Sequence, residues 1–422
     1  MRILWIAPSG GKFKNKIVKG TGGWIGSLQE ELVMRAHNLK LGIAFPSTED
    51  IVVQEGNVTY YPIRVNSGYG RVNRIWNLLF YSVKKEELVL KTRILEIIDE
   101  FHPDVVHVWG LENNYSNVIP EIKCPFVVHI QGFISPIYNS YFSPGFSVLN
   151  LKEMDSLWRP VNILYRILKL SQTNEYKRCK RRSIIETEVA SHVQFWMGRT
   201  DWDRDISKLL SPQSTYFHCN EVIRNDFDGN KWDYHFDGIL HIHSSISQYW
   251  YKGIDVILKT AATLKKYGEQ FEWNVYGVKP GHRLVSYFER SLGIKACEVG
   301  VIFHGYVDGS IIKKSLLECD VYVHPSNIEN SSNAIAEAMM LGVPVVAQYV
   351  GGNPSMLKNG SGVLVSQGEP LIMTAAIKKM KIKDFAVDIS NKALEVSNSR
   401  QNKERTVEDL LRIYSIVSNH KE

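Results

Sequence analysis

The fold is decided by the stretch Val321–Leu357, which reads V-Y-V-H-P-S-N-I-E-N-S-S-N-A-I-A-E-A-M-M-L-G-V-P-V-V-A-Q-Y-V-G-G-N-P-S-M-L. It opens with a short apolar strand, Val321–His324, and continues through a polar loop into a run of good helix formers, Asn333–Leu341. Gly342 ends that helix, and the apolar run Val343–Ala347 is a second buried strand. This order of strand, loop, helix and strand predicts a parallel α/β unit.

The chemistry of this stretch lies where the loop meets the helix. Ser331 or Ser332 is a suitable cap, and the unpaired N–H groups of the first helical turn, together with the helix dipole, form an anion site suited to a phosphate. Two carboxylates, Glu329 and Glu337, flank this site with seven residues between them. Carboxylates beside a phosphate favour sugar or ribose hydroxyls as partners. The alternative is that Glu337 only complements the helix dipole and that Glu329 is a solvated loop acid.

The pattern P-S-x-x-E, seven residues, E-A-M, G-x-P-V-V-A and G-G resembles the donor-site signature of retaining glycosyltransferases of family 4. The resemblance implies that Glu337 binds the ribose of a nucleotide sugar and that Glu329 lies against the donor sugar as a catalytic residue. It assigns the donor diphosphate to the backbone of four residues, Asn330, Ser331, Ser332 and Asn333. The family usually has E-G-F-G where this chain has E-N-S-S, and glycine permits backbone angles that Asn and Ser resist.

Members of this family have the GT-B fold. The resemblance therefore implies an α/β chain with two Rossmann-like, doubly wound domains that face each other across a cleft. We expect an N-terminal, acceptor-binding domain at residues 1–225, to which a C-terminal crossover helix at about 403–422 returns, and a donor domain at residues 226–402. The segment Glu221–Asp228 resembles the family's I-P-N-G-V-D link between domains, with Arg224 and Asp226 in place of the usual Pro and Gly.

Composition limits the possible classes of function. The chain has 422 residues, 44% of them hydrophobic, which is enough for two or three domains. Lys and Arg exceed Asp and Glu by 50 − 44 = 6, a mild excess that suits phosphates or an anionic membrane surface but does not require nucleic acid. The five cysteines include no C-x-x-C pair, which predicts a reducing compartment, no disulfide framework and no zinc site. No apolar run reaches the length of a membrane-spanning helix, so we expect a cytoplasmic location.

The start of the chain contains a second candidate ligand loop. Arg2–Ala7 predicts the first strand of a parallel sheet, and Gly22 and Gly23 precede the first predicted helix. Glycines in this place let the backbone approach a ligand, although the G-x-G-x-x-G dinucleotide fingerprint is not present. The resemblance implies that Gly22 and Gly23 face the donor phosphates and the acceptor. A plain turn is the alternative.

Two histidines follow apolar runs of the first half. His107 and His129 are each predicted to end an apolar strand that reaches a glycine, so both are expected at the cleft edge of the sheet. The resemblance implies that His129 lies beside the reacting sugar as a catalytic residue and that His107 supports it. The alternative is that both histidines are structural hydrogen-bonding groups.

Lys252 precedes a glycine at the start of a predicted helix. This pair resembles the family's Arg…Lys-Gly element, in which both cations bind the donor diphosphate. The resemblance therefore assigns Lys252 to diphosphate binding and to stabilising the leaving group. Ser244 or Ser245 stands where the family has its arginine. Either a basic residue elsewhere replaces that cation or donor binding is weaker.

The region from Phe133 to about Leu170 is rich in aromatic residues and precedes a basic run, Lys177–Arg182. Aromatic residues beside basic ones suit a membrane interface or a lipid-linked acceptor. The alternative is a core-packing lid followed by a solvated basic helix face. No nucleic-acid-binding module surrounds the run. The charged segment Arg199–Arg204 is a further candidate for acceptor contacts.

By resemblance, we expect glycosyl transfer with retention from a nucleotide sugar to a hydroxyl of a glycan or lipid-linked acceptor, in polysaccharide or glycoconjugate assembly. The enzyme is expected to be cytoplasmic or peripheral on the inner face of the membrane. Glu329 acts either as the nucleophile of a double displacement or as a stabilising group in a same-face reaction. No Asp-x-Asp lies in a strand-end metal context, so neither a metal nor a cofactor is expected. Two alternatives stay open: a non-catalytic sugar-nucleotide-binding subunit, and a GT-B epimerase or hydrolase of sugar nucleotides.

Overall fold

The computed structural model of the chain describes residues 1–15, 23–65, 83–156 and 171–420. The chain divides into two compact units. The first unit comprises Met1–Tyr138, Val148–Val222 and Asn402–Glu422, and the second comprises Asn139–Ser147 and Ile223–Gln401. Each unit has its own sheet, parallel except for one hairpin in the first unit, and helices connect most of the successive strands.

The sheet of the first unit has eight strands among the described residues. They are β1 (Arg2–Ile6), β2 (Lys40–Ser47), β3 (Val53–Glu55), β4 (Val58–Arg64), β5 (Val105–Trp109), β6 (Phe126–His129), β7 (Phe195–Gly198) and β8 (Thr215–His218). Their order in the sheet is β3-β4-β2-β1-β5-β6-β7-β8. All neighbours are parallel except the hairpin of β3 and β4. The strand order reverses at β1 and β5, which places the loop after β1 at a switch point of the sheet.

Helices cover both faces of this sheet. They are α1 (Gly23–Arg35), α2 (Val83–Phe101), α3 (Ile134–Asn139), α4 (Val148–Ser156), α5 (Gln172–Ala190) and α6 (Asp201–Leu210). Alternating side chains of β1 point to opposite faces. Ile3 and Trp5 belong to the core that α1 covers, whereas Leu4 and Ile6 belong to the core that α2 covers.

The second unit has a six-stranded parallel sheet. Its strands are β9 (Leu240–Ser245), β10 (Phe271–Tyr276), β11 (Val301–Gly305), β12 (Val321–His324), β13 (Val345–Gln348) and β14 (Val363–Val365). Their order in the sheet is β11-β10-β9-β12-β13-β14. From β9, the strands β10 and β11 follow on one side, and β12, β13 and β14 follow on the other, with β12 paired to β9. The carboxyl ends of β9 and β12 therefore form a topological switch point, where open α/β sheets bind ligands.

The helices of the second unit alternate with these strands. They are α7 (Ile254–Lys266), α8 (Arg283–Leu292), α9 (Gly309–Leu317), α10 (Asn333–Leu341), α11 (Asn353–Met356), α12 (Pro370–Lys379) and α13 (Lys383–Arg400). The bounds of α10 are those that the sequence predicts. Ser332 caps its start, and Gly342 ends it with φ +79°, in the left-handed region that favours glycine.

The chain ends in helix α14 (Lys403–Asn419), which belongs to the first unit. Tyr414 on this helix accepts a hydrogen bond from the indole N–H of Trp5 at 2.9 Å, and its hydroxyl lies 2.6 Å from His107 Nδ1. Both contacts are buried. The final helix is therefore bound to the middle of the first sheet.

Residues 139–147, here termed the strap, belong to the second unit although the chain on either side belongs to the first. Ser143, near the middle of the strap, is buried. Its hydroxyl donates to Asp255 Oδ1 and accepts from Asn327 Nδ2, each at 2.8 Å. The rings of Phe142 and Phe146 pack edge-on against Trp250, with centroids 5.7 and 5.9 Å away. The strap therefore completes the core of the second unit.

Candidate functional site

Three polar side chains meet beyond the carboxyl ends of β9 and β12. Lys252 Nζ lies 2.6 Å from Glu329 Oε2, and His324 Nε2 lies 3.0 Å from the same oxygen. All three are largely buried, with side-chain exposures of 17% for Lys252, 14% for Glu329 and 3% for His324. Because the cluster lies at the switch point of the sheet, it is the candidate site of the second unit.

A close contact between two backbone segments brings Lys252 to Glu329. Gly253 has φ +79°, and a Cβ there would lie 2.1 Å from the carbonyl oxygen of Pro325. Beside this contact, the N–H of Asn327 donates to the carbonyl of Tyr251 at 2.8 Å. A side chain at residue 253 would separate the two segments, so glycine is required there. The Lys-Gly pair thus positions the ammonium group against the loop that carries Glu329.

His324 contacts the Glu329 carboxylate directly, and Tyr322 in turn contacts His324. The two residues are two positions apart in β12, so their side chains lie on the same face of the sheet. The hydroxyl of Tyr322 lies 3.0 Å from His324 Nδ1. When that hydroxyl donates to Nδ1, the proton of a neutral imidazole is on Nε2, from which it donates to Glu329. The sequence reasoning missed His324, although its place two residues after Tyr322 was a signal that they share a face.

The electrostatics of the cluster favour an ionised carboxylate. Burial alone would raise the pKa of Glu329, but the charge of Lys252 and the hydrogen bond from His324 outweigh it and lower that pKa well below its ordinary value. Glu329 is therefore ionised at neutral pH. A carboxylate in this state can accept hydrogen bonds from sugar hydroxyls or stabilise a developing positive charge. A phosphate that binds Lys252 has to compete with Glu329.

The loop between Glu329 and α10 is buried and leads into the start of that helix. The predicted residues Asn330, Ser331 and Ser332 are all at least 93% buried. Ser332 caps α10 by accepting from the N–H of Ile335 at 3.4 Å, and its own N–H donates to Met356 Sδ at 3.2 Å. Asn333, at the first helical position, has no acceptor for its N–H within the helix. The positive end of the α10 dipole therefore begins four residues after Glu329 in the sequence.

Two glycines fix the backbone of Glu329. The N–H of Gly352 donates to the carbonyl oxygen of Glu329 at 3.0 Å. Gly351 has φ +50°, and a Cβ there would lie 1.8 Å from the same carbonyl oxygen. The Gly-Gly pair at the end of the motif thus has a defined structural role, since it leaves room for the Glu329 backbone.

Glu337, the predicted ribose ligand, is paired with an arginine. Nε and Nη2 of Arg224 donate to Glu337 Oε1 at 3.1 and 2.8 Å. Glu337 is 12% exposed and Arg224 is 38% exposed. Burial raises the pKa of Glu337 to about 7, although Arg224 acts in the opposite direction. The sequence marked Arg224 only as a departure from the usual link between domains.

The raised pKa of Glu337 predicts a pH-dependent stability. Between the ordinary pKa of 4.5 and about 7, the folded protein binds a proton that the unfolded chain has released. The free energy of unfolding therefore falls as pH rises through this window. Relative to E337Q, which does not titrate, the wild type should lose about 1–3 kcal/mol between pH 5 and pH 8. Urea unfolding of both proteins at several pH values measures this difference, and a constant difference would contradict the raised pKa.

Neither serine at the position of the family's arginine replaces its charge. Ser244 is fully buried in β9, where its hydroxyl donates to the carbonyl of Val323 at 2.6 Å and accepts from the indole of Trp273 at 3.0 Å. Ser245 Oγ lies 2.8 Å from His243 Nε2. Both hydroxyls are thus engaged in the sheet. Within the described ranges, Lys252 is the only lysine or arginine paired with Glu329.

In the first unit, the predicted catalytic His129 is fully buried at the end of β6. Its ring stacks on Trp109 at 5.3 Å and meets the edge of Trp24 at 5.2 Å. Burial lowers the pKa of His129 well below its ordinary value, so the ring is neutral. Neither ring nitrogen has a hydrogen-bond partner among the residues that the structure describes. Buried polar atoms are normally satisfied, so two unpaired nitrogens on one buried ring are unusual.

The loop before α1 lies only partly within the described residues. Gly23 begins α1, and the adjacent Trp24 donates its indole N–H to Gln131 Oε1 at 3.2 Å. The structure therefore brings the backbone of Gly23 near the end of β6 through Trp24. Gly22 lies outside the described residues.

The prediction that His107 ends its strand is wrong, because β5 continues through Val108 to Trp109. The ring of His107 is buried, stacks on Trp109 at 4.6 Å and is bonded to Tyr414 through Nδ1. Burial lowers the pKa of His107 to about 3. These contacts give His107 a structural role between the sheet and α14.

The charged segment after β7 is largely structural. Asp203 is buried and accepts from the N–H groups of Arg199 and Thr200 at 2.7 and 3.1 Å, so it caps the start of α6. Arg199 is also buried, 3.8 Å from Glu221, with its guanidinium 4.9 Å from the ring centre of Trp24. Arg199 is thus a buried cation next to the indole that contacts His129.

The basic run on α5 contains both buried and paired residues. Arg182 is buried and donates to Asn117 Oδ1 and to the carbonyl of Asn113, each at 2.8 Å. Arg181 pairs with Glu87 at 2.7 Å. Residues 157–170 of the aromatic region lie outside the described part of the chain.

Among the described residues, no helix combines the length and apolar character that a membrane crossing requires. The same residues contain no group of three or more His, Cys, Asp and Glu side chains that could bind a metal ion. The five cysteines are free thiols.

Comparison with known proteins bears on both the fold and the site. The structure matches sucrose-phosphate synthase from Thermosynechococcus elongatus with a TM-score of 0.72 and 13% identity, covering 99% of this chain and 98% of that protein. It matches Anabaena HepE, solved in complex with UDP and glucose, with a TM-score of 0.62 and 13% identity over 98% and 99% of the two chains. The chain has the GT-B fold. The predicted fold class is thereby confirmed.

The site of this GT-B protein lies in a segment with a family match. Residues 239–381 match the family model described as glycosyl transferases group 1, and they include Lys252, Glu329 and Glu337. A Salmonella typhimurium (strain LT2) protein named as a colanic acid biosynthesis glycosyltransferase, WcaL, is 22% identical over 266 residues. That match covers 58% of this chain and 62% of the relative's length.

Proposed function

We propose that this GT-B protein is a retaining glycosyltransferase that moves a sugar from a nucleotide sugar to a hydroxyl of a glycan or lipid-linked acceptor. The observation that carries the proposal is the cluster of Lys252, Glu329 and His324 next to the start of α10, within the segment that matches group 1 glycosyltransferases. The cluster combines a cation for a phosphate with an ionised carboxylate for a sugar. The similarity to the WcaL protein supports a role in polysaccharide or glycoconjugate assembly.

In this proposal the donor diphosphate binds to Lys252 and to the backbone N–H groups at the start of α10. The helix dipole and the N–H of Asn333, which has no acceptor within the helix, favour a phosphate there. Glu337 accepts hydrogen bonds from the ribose hydroxyls. For His129 we keep the catalytic role that the family resemblance implies; its ring is fully buried in the first unit, with both nitrogens unpaired among the described residues.

The reaction breaks the bond between the sugar carbon and the diphosphate oxygen, and forms a bond from that carbon to the acceptor oxygen. Negative charge grows on the diphosphate as its bond breaks, and Lys252 and the helix N-terminus stabilise it. In the same-face route, the proton of the acceptor hydroxyl passes to an oxygen of the leaving phosphate. When the phosphate pairs with Lys252 in place of Glu329, Glu329 keeps its hydrogen bond from His324. In a double displacement, Glu329 bonds to the sugar carbon as the diphosphate leaves, and the acceptor oxygen then displaces Glu329 while its proton passes to the departed phosphate.

Nucleotide binding tests the donor assignment directly. We expect one of UDP, GDP and ADP to raise the melting temperature of the wild type, with UDP tested first because HepE was solved with UDP and glucose. A ligand at 100 times its Kd stabilises the native state by about 2.7 kcal/mol. E337A should bind that nucleotide about tenfold or more weakly, because hydrogen bonds to a charged group contribute about 1.5–3 kcal/mol. Thermal-shift titrations of both proteins measure the difference.

E395A is the matched control, since Glu395 is exposed on α13 of the same unit. It should bind the nucleotide as the wild type does. Assays of the bound nucleotide's sugar conjugates, with and without glycan acceptors, then separate the functions. Transfer to an acceptor with an unchanged anomer supports the proposal. Free sugar or an epimer without acceptor supports a hydrolase or epimerase, and binding without turnover supports a non-catalytic subunit.

A further inference from the structure

Arg224 lies at the start of the second unit and has its guanidinium fixed by three neighbours. Its Cζ lies 4.8 Å from the ring centre of the buried Phe227. Two of its nitrogens bind Glu337 Oε1. Gly309, the first residue of α9, leaves the space for its Nη1, because a Cβ on that glycine would lie 2.8 Å from this atom. Arg224 is thus placed by stacking, by pairing and by the absence of a side chain on α9.

Arg224 pairs with only one of the two oxygens of the Glu337 carboxylate. Both nitrogens of Arg224 donate to Oε1 of Glu337, and no residue in the described ranges donates to Oε2. A carboxylate oxygen can accept more than one hydrogen bond, so Oε2 and the remaining capacity of Oε1 stay available. Because the guanidinium is planar and rigid, it also sets the rotation of the carboxylate. The available oxygen sites therefore have a defined direction.

We propose that Arg224 is a positioning residue for nucleotide recognition, which orients Glu337 so that its carboxylate accepts from both hydroxyls of a ribose and thereby discriminates against 2′-deoxyribose. The inference rests on the proposed function, because it takes Glu337 to be the ribose ligand of a nucleotide-sugar site. It assigns to this chain's own Arg224 a role that the usual proline of the family's interdomain link has no group to perform. The ligand class is a nucleoside diphosphate with an intact cis-diol.

The charges around Glu337 support this role. The groups that act on it are Arg224, the carboxylate of Asp226 on the same link, and Tyr322 on β12. Burial raises the pKa of Glu337, Arg224 lowers it and Asp226 raises it again. Arg224 therefore favours the ionised carboxylate, which accepts hydrogen bonds from hydroxyls more strongly than the neutral acid does.

The experiment compares ribose with deoxyribose nucleotides. Isothermal titration with UDP, GDP and ADP, and with dUDP, dGDP and dADP, gives the ratio of Kd values for the tightest pair. We expect the wild type to prefer the ribose form about tenfold, the effect of one charge-assisted hydrogen bond. R224A should reduce that preference to about twofold or less. R224K should lie between them, because lysine keeps the charge but not the planar fork.

Two further variants separate positioning from folding. G309A keeps Arg224 but displaces its guanidinium and the adjacent Asp226 carboxylate, from which the new Cβ would lie 2.8 and 2.9 Å, and alanine is tolerated at a helical position whose φ is not positive. It should lose the ribose preference as R224A does. K314A, an exposed change on the same helix, should keep it. In R224A the preference should stay low between pH 7 and pH 9, because ionising Glu337 does not replace the guanidinium that orients it.

The outcomes are distinct. A ribose preference that is equal in the wild type, R224A and G309A would overturn the role of Arg224 while leaving the donor site in place. Equal binding of ribose and deoxyribose forms by the wild type would also overturn it. If the wild type binds none of the six nucleotides, the donor-site assignment fails, and this inference fails with it.

Discussion

Replacing Lys252 by alanine is expected to lower the rate of sugar transfer at saturating donor by about 10²–10³-fold, the usual effect of removing one group that stabilises a developing charge. Lys252 is the cation paired with Glu329 beside the start of α10. In the proposed reaction, the leaving diphosphate then loses this cation and keeps the backbone dipoles at the start of α10. The kcat of K252A, measured with the donor that the binding screen selects, tests this expectation.

The same substitution also changes Glu329. Lys252 is the largest influence that lowers the pKa of this buried carboxyl group, so that pKa should rise in K252A. A depressed pKa stabilises the folded state above the ordinary value of 4.5, and this contribution is lost as pH falls through the folded pKa. K252A should therefore be less stable than the wild type at pH 7, and E329Q should recover part of that loss in the double variant.

K266A is the matched control for this experiment. Lys266 lies exposed at the end of α7, the helix that begins just after Lys252. Its removal should leave kcat within about twofold of the wild type, because exposed charges contribute little to a distant site. If K252A keeps the wild-type kcat, then Lys252 does not stabilise the leaving group.

A single methyl group at Gly351 is expected to destabilise the protein by about 2–4 kcal/mol and to lower activity about 10²-fold. The estimate of stability combines the cost of a left-handed backbone for alanine with that of overpacking. The new Cβ would lie 1.8 Å from the carbonyl oxygen of Glu329, which is backbone and cannot rotate away. The loop must move, and a displacement of about 1 Å at a reacting group can cost that much activity.

G268A separates the cost of a left-handed backbone from the cost of overpacking. Gly268 has φ +77°, and a Cβ there meets no atom within 4 Å. Alanine at this position should therefore cost only the backbone strain, about 1–2 kcal/mol, and leave kcat unchanged. Chemical unfolding and kcat of both variants form the test. If G351A resembles G268A in both measurements, the Glu329 loop does not depend on its contact with Gly351.

The parts of the fold that local chemistry controls follow from the sequence. Helix α10 begins and ends where it is predicted, because Ser332 caps it and Gly342 adopts the left-handed conformation that stops it. The strand β12 is also found as predicted, since an apolar run and a proline define it. No prediction was made for α13, whose apolar residues are spread weakly around the helix and whose start has no side-chain cap.

The geometry of the site depends on contacts between distant segments, so it could not be read from local patterns. Lys252 and Glu329 are 77 positions apart, and they meet because β9 and β12 are neighbours and because Gly253 packs on Pro325. The pairing of Arg224 with Glu337 spans 113 positions. The burial of His129 likewise requires Trp24 and Trp109 from two other elements. The family resemblance gives Lys252, Glu329 and His129 their expected roles. The residues that each of them contacts are seen only in the folded structure.

The strap also has a consequence for how this protein can be divided. A recombinant fragment that begins at Ile223 and ends at Gln401 follows the linear boundary of the second unit, and the family match at residues 239–381 lies wholly inside it. Such a fragment lacks Phe142 and Phe146, which cover Trp250, and lacks the hydroxyl of Ser143 that links Asp255 to Asn327. Its aromatic core would be open to water two residues from Lys252. A fragment that keeps these contacts of the second unit is therefore discontinuous, and isolating it requires grafting residues 139–147 onto the excised chain.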